Sequence, residues 1–539
     1  MKQYSLIKDD DANLNNNDIN VTTSNNMGVS FTESGIGTNV FGSMKLILGA
    51  SIPNRMNNTT FVKQKVKFFK VNWGFLCFYI FIASLGVFQL GIVLAANNQV
   101  STVFDIQFGL KDQSQKNFYH TMIGSSCVFG AVLGSLIGGK VITVLGRRRS
   151  TIFFNLFAAV SIGITMIENF YTLCLGRLLF GICGGIFQVV LPKQIEETVP
   201  NHLYGSFGVV SALTINGGEM LGIVMGLGLP DSQDEEAMSK TTFWRYIFGS
   251  PWVFQVITLV SYFFILKHDT IKYLIDNNKD AEALQMVKKV YHKSEDHQYI
   301  LDYIKMTSSL GKGNRISLKD ALTNKLYWRA TWFCFTFALI SQFSGVNGII
   351  WYSGTILQRL QNQGGSGTIS PKLGSVLIGV VNFIGTVVAV IPLRYFGRKT
   401  LVLVGHLLMG TFMVLVGVFA YLEYSNLMLT MILLFLIVFQ STDGPILQLY
   451  GSEVTVDQGL GFCVFGIKSS GLIVSLTTEY LMDSPLHPYG AFWLYGGIIW
   501  ISFIFFWIFM KETKGLTDRQ KKSIFRKDYD PLDYNNQTP

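Results

Sequence analysis

The sequence predicts an all-α membrane protein: twelve transmembrane helices in two pseudo-symmetric six-helix halves. Three observations lead there. Of the 539 residues, 49% are hydrophobic and 14% carry charge, against about a quarter charged in an ordinary soluble domain. Apolar runs of about 20 residues, enough to cross a bilayer as a helix, recur from Val71 onward. Landmarks also repeat at nearly one offset: Gly146 and Gly397 lie 251 positions apart, Glu197 and Glu453 256, Gly91 and Gly345 254. Repetition at one period marks a duplicated unit, and a duplicated six-helix unit is a hallmark of carriers.

The spans of the first half are expected to start near Val71, Phe118, Ser150, Tyr171, Leu203 and Trp244. Those of the second start near Trp328, Pro371, Thr400, Leu427, Gly459 and Tyr489. Helices are the expected form because backbone groups in lipid have no water to bond. Residues 1–65 are rich in Asn, Ser and Asp and read as a disordered tail without a signal peptide. The halves are expected over 66–267 and 326–512, with a polar linker over 268–325 and a tail over 513–539. Within the linker, Leu284, Val287 and Tyr291 share one face of an expected amphipathic helix.

The net charge of +9 sits in short connections and tails, the pattern of loops facing an anionic inner leaflet and not of a nucleic-acid surface. The Gly-Arg turns, the linker and Lys514, Arg519, Lys521 and Lys522 fall on one side of the helix count, so both termini are expected in the cytoplasm, and the sequons at Asn20, Asn57 and Asn58 unused. The plasma membrane is the expected location and the monomer the expected unit. All six cysteines lie in apolar runs and the histidines are scattered, which implies no metal site. Nothing resembles a nucleotide-binding loop or a catalytic triad, so the chain reads as a carrier without a cofactor and not as an enzyme.

Each half places a Gly-Arg turn after its second helix and a glutamate at the end of its fourth. Arginine forks onto carboxylates, so Arg147 or Arg148 with Glu197, and Arg398 with Glu453, are expected to form latches that shut the inner gate. The same arginines also suit a purely topological role. Asp443 and Lys468 each lie about ten residues from the turn joining helices ten and eleven, at similar depth. They are expected to form an intramembrane ion pair, because an unpaired charge there is costly.

The motifs resemble those of the sugar porters of the major facilitator superfamily over roughly residues 70–517. Gly176-Arg177 with Gly181, Gly185, Pro192, Glu197 and Pro200 matches helix four; Gln342 to Asn347 followed by Trp351-Tyr352-Ser353 matches helix seven. Gly444-Pro445 with Glu453 matches helix ten, and Glu512-Thr513-Lys514-Gly515 the ending. The resemblance implies the major facilitator fold and a hydroxyl-rich ligand between the halves, touching Gln342, Asn347, Asn382, Ser341, Gln448 and Gln89. Amides offer donor and acceptor together, as hydroxyls need; each amide could equally join helices. Trp351 and Tyr352 resemble the family's outer-gate aromatics.

The departures are specific. Ser341, Ala212, Gln448, Gln440 and Ser469-Ser470 stand where the family carries other polar or aromatic groups, and Thr143 and Arg394 replace residues ahead of the Gly-Arg turns. The run from His268 to Leu274 keeps only a polar skeleton. Gln89 stands where proton-coupled relatives carry an aspartate, and an amide does not titrate. Facilitated diffusion of hexoses or polyols is therefore the expected activity. Proton coupling or organic-ion transport stays open through Lys468 or through Glu219, which shares a helix-five face with Ala212 and Asn216. A non-transporting sensor is the remaining alternative.

Overall fold

The computed structural model describes residues 69–526, apart from 201, 202, 204–206, 208, 231–233, 312–316, 363–369 and 517. The expected tail over 1–65 and the three sequons lie outside the described residues. The first half consists of α1 (Trp73–Gln107), α2 (Gln113–Leu145), α3 (Arg147–Thr165), α4 (Phe170–Thr198), α5 (Val210–Gly228) and α6 (Phe243–Ile265). The second half opens with α7, broken into Trp328–Gln342 and Val346–Asn362, followed by α8 (Lys372–Leu393) and α9 (Arg398–Tyr421). It ends with α10, broken into Ser425–Ser441 and Asp443–Val454, then α11 (Gln458–Met482) and α12 (His487–Phe509). Eleven of these are long and apolar enough to cross a membrane. The twelfth of the series, α3, opens on Arg147-Arg148-Arg149, which lowers its hydropathy while its remaining length packs along α4.

The two breaks have local causes. In α7, Gly345 takes φ +84°, a left-handed conformation that only glycine adopts cheaply, and a Cβ there would collide with the Tyr495 ring. In α10, Pro445 removes an amide donor and crowds the carbonyl four residues back; the helix parts at Thr442, at φ −124° and ψ −82°.

Small residues let helices touch backbone to backbone. Gly130 and Gly134 of α2 face Gly181 and Gly185 of α4, and a Cβ on any of the four would overlap a carbonyl oxygen of the other helix. Gly91 of α1 and Gly218 of α5 form a second such seam. Close approach of this kind holds helices together where lipid offers no hydrophobic drive. Phe153, Phe264, Ile501 and Trp507 point outward and are more than half exposed, as suits a surface solvated by acyl chains.

The linker forms helices Ile271–Asp276, Asp280–Val290, His297–Gly311 and Leu318–Thr323. Asp280–Val290 buries Ala283, Met286, Val287 and Val290, with Leu284 half-buried. Tyr291 lies beyond this helix, in extended backbone at φ −99° and ψ 154°. It is buried because it pairs with Val71 in a β-bridge that ties the linker to the start of α1. Four of the cysteines are buried, but Cys174 is half-buried and Cys77 is exposed on α1.

Candidate functional site: paired charge clusters and a central amide site

The Gly-Arg turns build the same cluster twice. In the first half Arg147 Nη2 meets Glu197 Oε1 at 2.5 Å, and Glu197 Oε2 accepts from Thr270 Oγ1 at 2.6 Å. In the second, Arg398 Nη2 meets Glu453 Oε1 at 3.0 Å, and Glu453 Oε2 accepts from Thr513 Oγ1 at 2.6 Å. The residue before each threonine is an acid that caps a helix. Asp269 accepts the Arg148 N–H at 3.1 Å at the start of α3. Glu512 accepts the Arg398 and Lys399 N–H groups at 2.8 and 3.1 Å at the start of α9. Carboxylates at helix N-termini satisfy orphan amides and the helix dipole together.

Gly146 is required at the first turn: its φ is +84°, and a Cβ would run into Asp269 and the Tyr273 ring. Burial pushes the Asp269 carboxyl up from its ordinary range, while the Thr270 and Arg148 amides and the Arg147 guanidinium pull it down. Arg148 does not reach Glu197; it donates to the Leu266 and Tyr262 carbonyls, both at 2.7 Å. Each ion pair therefore joins helices within one half.

At mid-height, the α7 break presents an amide pair. Asn347 Nδ2 donates to Gln342 Oε1. Across from them is Gly471 of α11, where a Cβ would sit 3.4 Å from Asn347 Nδ2 and 3.9 Å from Trp351 Cη2. Trp351 packs against the apolar cores of both halves and donates its indole N–H to Glu219 of α5 at 3.3 Å. Tyr352, kinked at φ −123°, turns the other way and donates to the Ser475 carbonyl at 3.0 Å. On the α5 face that carries Glu219, Asn216 donates to Thr386 of α8 at 2.6 Å.

The model of the family described as Sugar (and other) transporter matches residues 79–525. The chain belongs to that family. Hexose transporter 1 of Plasmodium vivax is 26% identical to this transporter over 461 residues, covering 81% of this chain and 90% of that one. The facilitated trehalose transporter Tret1 of Apis mellifera ligustica is 26% identical, with 75% and 80% covered. The major myo-inositol transporter IolT of Bacillus subtilis (strain 168) is 26% identical, with 78% and 88% covered. Among solved structures, the inward open conformation of the xylose transporter XylE from E. coli shares the fold at a TM-score of 0.69 and 20% identity, over 83% of this chain and 99% of that one.

The sequence-expected site residues of this transporter have different surroundings. Gln342 and Asn347 stand together with Trp351. Gln89 is fully buried in the first half, donating to Asn155 Oδ1 at 3.4 Å. Asn382 is buried, and its Oδ1 accepts from Gln440 at 2.7 Å. Ser341 is buried beside Asp443, and Gln448 is exposed on α10.

The expected Asp443–Lys468 pair does not form. Asp443 is fully buried inside the second half, 3.5 Å from His406 Nδ1 of α9. Lys468 faces the first half, where Glu219 and Cys127 are its electrostatic neighbours. Residue counting put the two at one depth, and it supplied no direction.

Two features of the transporter escaped the sequence reading. Arg177 is fully buried in α4 and ties three helices: it donates to the Ile123 and Val93 carbonyls at 2.7 and 3.1 Å and lies 5.5 Å from the Phe248 ring centroid. The motif containing it was read only as a family mark. The second is a set of contacts between the halves at the end opposite the Gly-Arg turns. Asn98 donates to Ser353 Oγ at 2.7 Å, and Asn117 to Asp483. His120, 2.8 Å from Asp105, also lies 3.5 Å from Glu479, and Lys372 donates to the Leu229 carbonyl.

Proposed function

We propose that this transporter carries hexoses or related polyols by alternating access, as a uniporter working by facilitated diffusion. The observation that carries the reading is the Gln342–Asn347 amide pair, set at the glycine break of α7, beside Trp351 and opposite α11 at the junction of the halves. Paired amides bond sugar hydroxyls as both donor and acceptor, and an indole face suits the C–H surface of a pyranose. Relatives named for hexose, trehalose and myo-inositol transport support this substrate class. Uniport is supported by Gln89, an amide that holds no titrating proton.

The basic end, with the linker and both termini, lies in the cytoplasm of a cell whose plasma membrane the monomer spans. The contacts of Asn98, Asn117, His120 and Lys372 between the halves then lie at the outer end, as an inward-facing state requires. The Arg–Glu clusters act as struts that keep each half rigid while the halves rock, since neither pair crosses between them.

The test is uptake into proteoliposomes of glucose, fructose, galactose and myo-inositol. Gln342→Ala and Asn347→Ala are each expected to lower kcat/KM at least about tenfold, the cost of about one good polar contact. Uptake unchanged in both variants would remove the site assignment. Glu219, buried at mid-membrane, favours proton coupling as the second reading; flux that needs a proton gradient selects it over uniport.

A further inference from the structure

Glu219 and Lys468 belong to neither cluster at the basic end. Glu219 is buried on α5 and accepts the Trp351 indole N–H. Lys468 is half-buried on α11, one turn before Gly471, on the face that meets Asn347 and Trp351. The two side chains act on each other electrostatically across the boundary between the halves. Among the described residues, however, no ion pair within 4.0 Å joins them, and Lys468 makes no hydrogen bond.

Two opposite charges held apart at mid-membrane are under-satisfied. An ammonium has three donors and a carboxylate about four acceptor positions, and buried ions are costly until such positions are filled. The group that completes both must accept from Lys468 and donate to Glu219. A hydroxyl does each, and a vicinal diol does both at once. The pair is also charge-balanced: a neutral ligand leaves the membrane interior neutral, whereas an anion or a cation adds an uncompensated charge there.

We propose that Glu219 and Lys468 form a charge-balanced clamp that selects a neutral vicinal diol of the carried sugar. Lys468 donates to one hydroxyl oxygen, and Glu219 accepts from the neighbouring hydroxyl. The inference rests on the sugar-carrier reading above and adds to it the residues that reject ionised sugars.

The experiment uses the full-length protein in proteoliposomes, with the best carried of labelled glucose, fructose and myo-inositol as tracer and D-glucosamine and D-glucuronate as competitors. Lys468→Met leaves the carboxylate alone; tracer kcat/KM falls, and competition shifts toward glucosamine by at least about tenfold, the low end of the cost of unbalancing a buried charge pair. Glu219→Gln shifts competition toward glucuronate by a similar factor. Lys468→Arg, which retains the charge, keeps the order of competitors even where it slows uptake.

The clamp is overturned if both single variants keep the competitor order of the unsubstituted protein. It is equally overturned if the double variant regains full uptake with unchanged selectivity, since the two charges would then serve only to neutralise each other. A reversed order in Lys468→Arg also counts against it. Absence of tracer uptake by the unsubstituted protein removes the sugar-carrier reading itself, and the clamp with it.

Discussion

Thr270 and Thr513 make the same hydrogen bond in the two halves: each donates its hydroxyl at 2.6 Å to the second oxygen of a glutamate whose first oxygen holds an arginine. The equivalence is incomplete, because Glu453 is also met by Lys521 at 3.3 Å.

Thr270→Val and Thr513→Val each remove one donor from a largely buried carboxylate, at about 1–3 kcal/mol. Because Lys521 backs Glu453, the loss is expected to be larger for Thr270→Val. Thermal unfolding of the purified transporter in detergent checks the order; equal shifts in Tm would show that Lys521 lends Glu453 no support.

Gly345→Ala forces an L side chain into a left-handed conformation and into the Tyr495 ring. The expected cost is about 1–3 kcal/mol for the backbone alone, with the amide pair displaced by the altered break. Sugar uptake should fall more than thermal stability accounts for. An alanine variant with normal uptake would show that the break is not what sets the amides.

Arg177→Lys keeps a charge but loses the planar fork that reaches two carbonyls of different helices. It is expected to destabilise the first half by about 1–3 kcal/mol, the cost of leaving a buried carbonyl unpaired. The readouts are the yield of monodisperse protein and its Tm; wild-type values for both would contradict the three-helix tie.

Asn98→Ala removes the bond to Ser353 at the end opposite the Gly-Arg turns. With one inter-half contact gone, the population should move toward the state open at that end. A cysteine introduced by Ser101→Cys, now buried, would label faster with a membrane-impermeant thiol reagent. An unchanged labelling rate would remove Asn98 from the closure.

Much of this molecule is legible in its sequence for physical reasons that act locally. A span must be apolar over about 20 residues because its backbone can bond only to itself, so the helices can be counted from composition, α3 included, although three arginines open it. Gly345 was legible only as a landmark of the repeat; its φ of +84° is what makes it the break in α7. The Arg147–Glu197 and Arg398–Glu453 pairs were readable because duplication placed a Gly-Arg turn and a later glutamate in each half at nearly one offset.

Choices between faces were not readable. Residue counting put Asp443 and Lys468 at one depth, but azimuth depends on how whole helices pack. That packing turns Asp443 toward His406 of α9 and Lys468 toward Glu219 of the other half. Asn382 shares its polarity with Gln342, yet only packing engages it with Gln440. Asp269 and Glu512 were quoted with their motifs, but their capping of α3 and α9 joins segments more than 100 residues apart. By itself the sequence determined the helices and the twofold repetition, because these follow from each residue's own relation to lipid and to its backbone. Only the tertiary structure decided which charges and amides meet, because that depends on the rotation of each helix against its neighbours.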